Sequence, residues 1–147
     1  MIDIKRITES QVADIYHLFD SYRVFYKMKS DIKGATAFLN DRMLNKQSVI
    51  FAAYKDNIAI GFVQMYYTYS SVSLEKSLIL NDLFVNSNFR NKSVGKALLL
   101  KTQEYCKING YKGLALETAI DNPAQKLYEK LGWLKDNHCF HYFWQVK

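Results

Sequence analysis

Cysteine is scarce: Cys106 and Cys139 are the two in 147 residues, and they lack the close spacing of a zinc or redox motif. A disulfide scaffold is excluded, and isolated thiols fit a reducing compartment. Proline is scarcer still, with Pro123 alone, and six glycines are scattered, so no flexible or proline-rich linker divides the chain. The longest uninterrupted apolar stretch, residues 49–54, falls far short of the roughly 20 that span a bilayer. Residues 1–6 lack the apolar region of a secretory signal, which places the chain in the cytoplasm. Basic residues number 20 against 14 acidic ones, for a net charge of +6, yet they form no block. That balance fits contact with an anion without the clustered cations of a nucleic-acid surface.

What the sequence does have is apolar material, 49% of residues with 15% aromatic, ample for one core at this length. Residues 1–147 therefore read as a single domain. Ile2, Ile4 and Ile7 sketch a first strand, and Thr8 with Gln11 has the form of a capping box. Val12, Ile15, Tyr16, Phe19 and Tyr26 then share one helix face, which predicts a helix to about Met28. A second helix is expected over residues 31–45, with Ala35, Phe38, Leu39 and Met43 inward. Strands are expected over 48–54, 58–69 and 77–85, the first two joined by an Asp56-Asn57 hairpin turn. Val94, Ala97, Leu98, Tyr105 and Ile108 trace another helix that stops at Gly110. A strand over 113–119, a helix opening at Asn122-Pro123 and closing at Gly132, and a strand over 133–146 complete the order. A meander plus a strand-helix-strand crossover predicts an α/β fold, a mixed and mostly antiparallel sheet with helices on both faces.

The segment most informative about chemistry runs from Leu83, Phe84 and Val85 through a polar loop into a helix. Free N–H groups and the dipole at that helix start favour an anion, and Arg90, Lys92 and Lys96 add charge beside them. A pyrophosphate would fit, and so would mere solvation of a polar turn. Neither the P-loop nor the dinucleotide glycine fingerprint occurs, and no G-x-S-x-G elbow supports a hydrolase. Asp82 and Glu117 are carboxylates inside apolar strands, each a candidate general base or a paired structural group. Tyr22, Phe25, Tyr26, Tyr66, Tyr67 and Tyr69 could shape a pocket for a cation or simply pack. His138 and His141 on a strand would point to opposite faces, so no metal site is expected.

The loop carrying Arg90-x-x-Ser93-x-Gly95 resembles the Arg/Gln-x-x-Gly-x-Gly/Ala coenzyme A signature of the GNAT superfamily of N-acetyltransferases. Asn122-Pro123-Ala124-Gln125-Lys126-Leu127-Tyr128-Glu129-Lys130-Leu131-Gly132-Trp133 is similar to that family's Asn-x-x-Ala-x-x-Leu-Tyr-x-x-x-Gly-Phe helix, and the order of elements matches over nearly the whole chain. Residues 48–51 and 80–85 resemble the branch that includes histone- and polyamine-type enzymes. Ser93 departs from the pattern, standing where the family usually has glycine; at positive φ a serine costs about 1–2 kcal/mol.

The resemblance implies that acetyl-CoA is the cosubstrate and that no metal is needed. The backbone of Leu83, Phe84 and Val85 would pair with the pantetheine arm, and Arg90, Asn91, Lys92, Ser93, Val94, Gly95 and Lys96 would hold the pyrophosphate. Asn122 would contact the arm, and Tyr128 would act as acid at the thioester sulfur. The acceptor would be a primary amine of a polyamine, amino acid, aminoglycoside or protein lysine, bound near Tyr22, Phe25, Tyr26 and Tyr66. Two other readings stand beside this one: a coenzyme A sensor without turnover, suggested by Ser93, and a basic nucleic-acid module. The aromatic residues Phe140, Tyr142, Phe143 and Trp144 would offer an edge for a homodimer.

Overall fold

Residues 49–53 are apolar at every position, as in a strand covered on both faces. In the computed structural model, which describes residues 1–147, β2 (Ser48–Lys55) is buried from Ser48 to Tyr54. It lies between β1 (Asp3–Arg6) and β3 (Ile58–Ser70), antiparallel to both. Asp56 and Asn57 turn the chain between β2 and β3 with φ of 51° and 64°, the left-handed pair that a tight hairpin requires. β4 (Glu75–Val85) continues the meander, and the short β5 (Leu114–Ala115) joins parallel to it, giving sheet order β1-β2-β3-β4-β5. The expected mixed sheet is present.

Side chains alternate across these strands. Ile50, Ala52, Phe62 and Phe84 join Val12, Ile15, Leu18, Phe19, Ala35 and Leu39 in one buried cluster, beneath α1 (Tyr16–Phe25) and α2 (Ile32–Leu44). α3 (Val94–Ile108) packs on β2, β3 and β4, and the ring of Tyr105 meets Phe51 edge-on at 5.6 Å. Asp31 caps α2 by accepting from the Gly34 N–H at 2.8 Å. Gly110, at φ 69°, follows the end of α3. No helix is long and apolar enough to cross a membrane.

Three expectations change in this part of the chain. The first helix is not continuous: residues Glu9–Ile15 form a 3-10 helix and α1 begins only at Tyr16. Three residues per turn align Val12 with Ile15, both buried, and Asp14 is drawn to the Tyr54 hydroxyl at 2.7 Å. α1 then ends at Phe25 rather than Met28, because Lys27 turns left-handed at φ 64°. The strand expected over 113–119 shrinks to two residues. β4 leaves β5 after Ile79, since the pairing of Gln64 with Asp82 and of Met65 with Leu80 makes Asn81 an extra, bulged residue; a bulge bends its strand.

The chain divides into two compact units, Met1–Glu117 and Thr118–Lys147. The second contains α4 (Gln125–Lys130), shorter than the 123–131 expected, because Pro123 lies in the turn that precedes it. Asn122 Oδ1 accepts from the Ala124 N–H at 2.9 Å, and Gly132 closes the helix at φ 91°. Residues 133–147 form no strand, and residues 134–147 are exposed throughout. Their apolar pattern suits a strand, but no neighbouring strand provides ladder hydrogen bonds there, and without them extended chain has no backbone partners.

Candidate active site

Asp82 is a charged residue in an apolar strand, and the fold buries it to 3% exposure. Its position one step from the Asn81 bulge turns it towards α1 and α2, on the face that carries Gln64 and Phe84. Both oxygens are held: Gln64 Nε2 donates to Oδ2 at 2.5 Å and Asn81 Nδ2 to Oδ1 at 3.0 Å. Burial is the dominant influence on this carboxyl and pushes its pKa up, against the lowering effect of Gln64, Tyr22 and Asn81. The group is therefore more basic than an ordinary carboxylate.

Asp82 lines a cavity of about 320 Å³, together with Tyr22, Tyr66, Phe19, Phe38 and Arg23. That is the scale of a small-ligand pocket, roughly 300–1,000 Å³. Phe19 stacks on Phe38 at 5.9 Å and on Tyr22 at 6.3 Å, so α1 and α2 together form an aromatic wall. The Tyr22 hydroxyl donates to the carbonyl of the bulged Asn81 at 3.3 Å. Burial raises the pKa of both Tyr22 and Tyr66, and the Asp82 charge raises both further. Aromatic faces around a carboxylate make a site suited to an amine.

Of the four residues expected around an acceptor, Tyr22 and Tyr66 line this cavity. Tyr26 stands edge-on to Tyr22 at 5.0 Å, and Phe25 is 58% exposed with the Arg90 guanidinium 5.5 Å from its ring centre. Tyr67 stacks on Tyr111 at 6.4 Å, and Tyr69 is exposed. Glu117 is exposed beyond β5 and does not line the cavity. Sequence reasoning missed Gln64, although a glutamine inside an apolar strand is the same signal that singled out Asp82. It also missed Asn81, Phe38 and Arg23, which only the bulge and the pairing of α1 with α2 bring to the site.

Beyond Ile79, β4 pairs with β3 alone, so its stretch through Leu83, Phe84 and Val85 has no β5 neighbour. The Arg90 Nε donates to the Val85 carbonyl at 3.0 Å, and its guanidinium lies 5.4 Å from the Phe84 ring centre, tying the loop to the strand end. Asn91 and Ser93 both take left-handed backbone, at φ 59° and 63°. Ser93 is the residue before α3 and makes no side-chain cap. The first-turn N–H groups of Val94, Gly95 and Lys96 have no acceptor within the helix. No acidic residue stands in that turn, and Lys92 and Lys96 are exposed beside it. These residues fit a pyrophosphate.

In the second unit, Asn122 Nδ2 donates to Thr118 Oγ1 at 2.9 Å, so both ends of that amide are used locally. Tyr128 is half-buried on α4, its ring 6.0 Å from that of Trp133. His138 and His141 lie in the exposed final segment, and no group of His, Cys, Asp or Glu side chains is arranged to hold a metal ion.

Comparison with known proteins agrees with this fold. Residues 12–133 match the acetyltransferase (GNAT) family. An uncharacterized N-acetyltransferase of Bacillus subtilis is 43% identical over 142 residues, covering 96% of this chain and 95% of that protein. The crystal structure of a probable acetyltransferase superposes with a TM-score of 0.93 at 32% identity, covering 99% and 98% of the two chains. An aminoglycoside N-acetyltransferase solved in complex with CoA shares the fold, with a TM-score of 0.80 at 20% identity over 99% and 96%. The chain is a member of the GNAT family of acetyltransferases, an acyltransferase by its fold and its relatives.

Proposed function

We propose that the protein transfers the acetyl group of acetyl-CoA directly to a primary amine bound in the cavity over Asp82. The observation that carries this reading is a buried, proton-hungry carboxylate at an aromatic cavity on the strand that diverges from its parallel neighbour. An amine of pKa about 10.4 is neutral in about one molecule in 2,500 at pH 7, a deficit of roughly 4.6 kcal/mol. Asp82 removes that proton before the nitrogen attacks, while Gln64 and Asn81 hold both of its oxygens. Glu117, the other candidate, is exposed and away from the cavity, so Asp82 takes the role.

Acetyl-CoA supplies the acetyl group as a thioester. The strand edge at Leu83, Phe84 and Val85 aligns the pantetheine arm, and residues 90–96 neutralise the pyrophosphate. Tyr128, by its place in the Asn122–Trp133 motif, gives its phenolic proton to the departing sulfur; a thiol of pKa about 8.5 needs only a modest donor. The C–N bond forms, the C–S bond breaks, and free coenzyme A leaves with the proton from Tyr128, which is restored through water by the second proton leaving the new amide nitrogen, while Asp82 gives the first to solvent. The similar aminoglycoside enzyme binds CoA, which supports the cosubstrate. We place the reaction in the cytoplasm, where its thiols stay reduced.

Calorimetric titration with acetyl-CoA, and with desulfo-CoA as competitor, tests the cosubstrate half. Saturable binding that desulfo-CoA displaces is expected. Heat of dilution alone would remove this reading.

A further inference from the structure

The cavity is not lined by acidic and aromatic groups alone. Arg23, on α1, lines it beside Asp82 and Asp31. One Arg23 nitrogen, Nη1, reaches Asp20 at 3.8 Å and the Lys29 carbonyl at 3.4 Å, both long contacts that bind the guanidinium weakly. Arg42, on α2, lies with its guanidinium carbon 4.5 Å from the ring centre of Phe38, a cavity-lining residue one turn earlier on that helix. Its Nε is buried and has no hydrogen-bond partner. An N–H removed from water and left unpaired is costly. It is a donor without an acceptor among the protein's own groups. The phenol of Tyr66 feels both ends of the arrangement, since the Asp82 charge raises its pKa and the Arg42 charge lowers it.

Asp20 and the cavity-lining Asp31 offset the charge of Arg23, but no carboxylate forms an ion pair with Arg42. Asp20 already accepts from the Ser30 hydroxyl at 2.6 Å and the Asp31 N–H at 2.7 Å, and Asp31 caps α2. Asp82 is bound to Gln64 and Asn81 and is the group that burial makes least willing to ionise. A ligand carrying only positive charges would answer Asp82 and leave the Arg42 Nε without an acceptor. A ligand with an amine at one end and a carboxylate at the other would match both. Arginine presents a planar fork that suits a carboxylate in particular.

We propose that the acceptor is a zwitterionic amine of the amino-acid type, its amino group at Asp82 and its carboxylate on Arg42 with Arg23 beside it. This rests on the acetyl-transfer reading and narrows its acceptor. It runs against the polyamine-type acceptor that residues 48–51 and 80–85 suggest.

The test uses matched pairs that differ only in the carboxylate: L-lysine against cadaverine, and 4-aminobutyrate against propylamine, each with acetyl-CoA and with coenzyme A release as readout. The carboxylated member of at least one pair is expected to have kcat/KM higher by roughly tenfold or more, the scale of a charged hydrogen-bonded pair. In Arg42→Met, which keeps an apolar stem over Phe38, that ratio is expected to fall towards one. A fold defect would lower both members together and leave the ratio. Equal or faster turnover of the decarboxylated amines, or a preference that Arg42→Met leaves intact, overturns the proposal while acetyl transfer stands. Turnover of no amine at all overturns the transfer reading and this one with it.

Discussion

Gln64 and Asp82 face each other across β3 and β4 in register and through their side chains, Nε2 to Oδ2 at 2.5 Å, one residue from the Asn81 bulge. The same burial that makes Asp82 basic makes it a burden on the fold. A carboxyl whose pKa is raised on folding stabilises below its unfolded value and loses that contribution as pH rises through the folded one; burial raises Asp82 in this way. Asp82→Asn keeps the shape and removes the charge. It is expected to melt at a higher temperature than wild type at pH 7–8, the gap closing towards about pH 4, while amine acetylation falls roughly 10²- to 10⁴-fold. Calorimetric scans across pH, paired with thiol-release rates, check both halves. A variant that is less stable at neutral pH and fully active would contradict them.

Tyr128→Phe separates binding from chemistry. The ring keeps its contact with Trp133 and loses its hydroxyl group. The expected result is a fall in kcat of roughly 10² with acetyl-CoA affinity preserved in calorimetry. Unaltered kcat would take the proton-donor role from Tyr128.

Ser93 holds left-handed backbone at φ 63° and gives no cap in return. Glycine at that position meets no steric penalty, so Ser93→Gly is expected to raise stability by about 1 kcal/mol, read as a shift in the urea midpoint. An unchanged midpoint would mean that the loop relieves the strain in solution.

Asp20 moves the other way. Its carboxylate accepts from Ser30 and from the Asp31 N–H, and these bonds with Arg23 nearby hold its pKa below 3.8. Its stabilisation is present above the unfolded pKa and is lost as pH falls through the lower folded one. Asp20→Asn is expected to cost about 1–3 kcal/mol at neutral pH, with the deficit shrinking once pH drops below the ordinary carboxylate range. It also loosens Asp31, which caps α2 and lines the cavity, so KM for the amine is expected to rise. Urea titrations at pH 7 and pH 3 decide the first point.

Much of this architecture is legible in the sequence because it rests on local signals. The apolar run of β2, the Asp56-Asn57 turn, the Asp31 cap and the Gly110 stop each act within a few residues. Asp82 is legible for the same reason, as a carboxylate in an apolar strand. The Asn81 bulge is not, because it exists only in the pairing of β4 with β3, and that bulge ends the β4–β5 ladder after two residue pairs. Nor is the place of Arg23 at the cavity, which depends on the packing of α1 against α2. Residues 133–146 show the converse failure: the aromatic tail reads as a strand, but a strand needs a partner edge and none pairs with it.

The most direct test of the central claim mixes the protein with acetyl-CoA and a primary amine and follows free thiol alongside the mass of the amine. Coenzyme A and N-acetylated amine are expected in equal amounts, only when both substrates are present, with both signals lost in Asp82→Asn. Thiol released at the same rate without the amine, or no acetylated product from any amine while acetyl-CoA binds, would contradict the account.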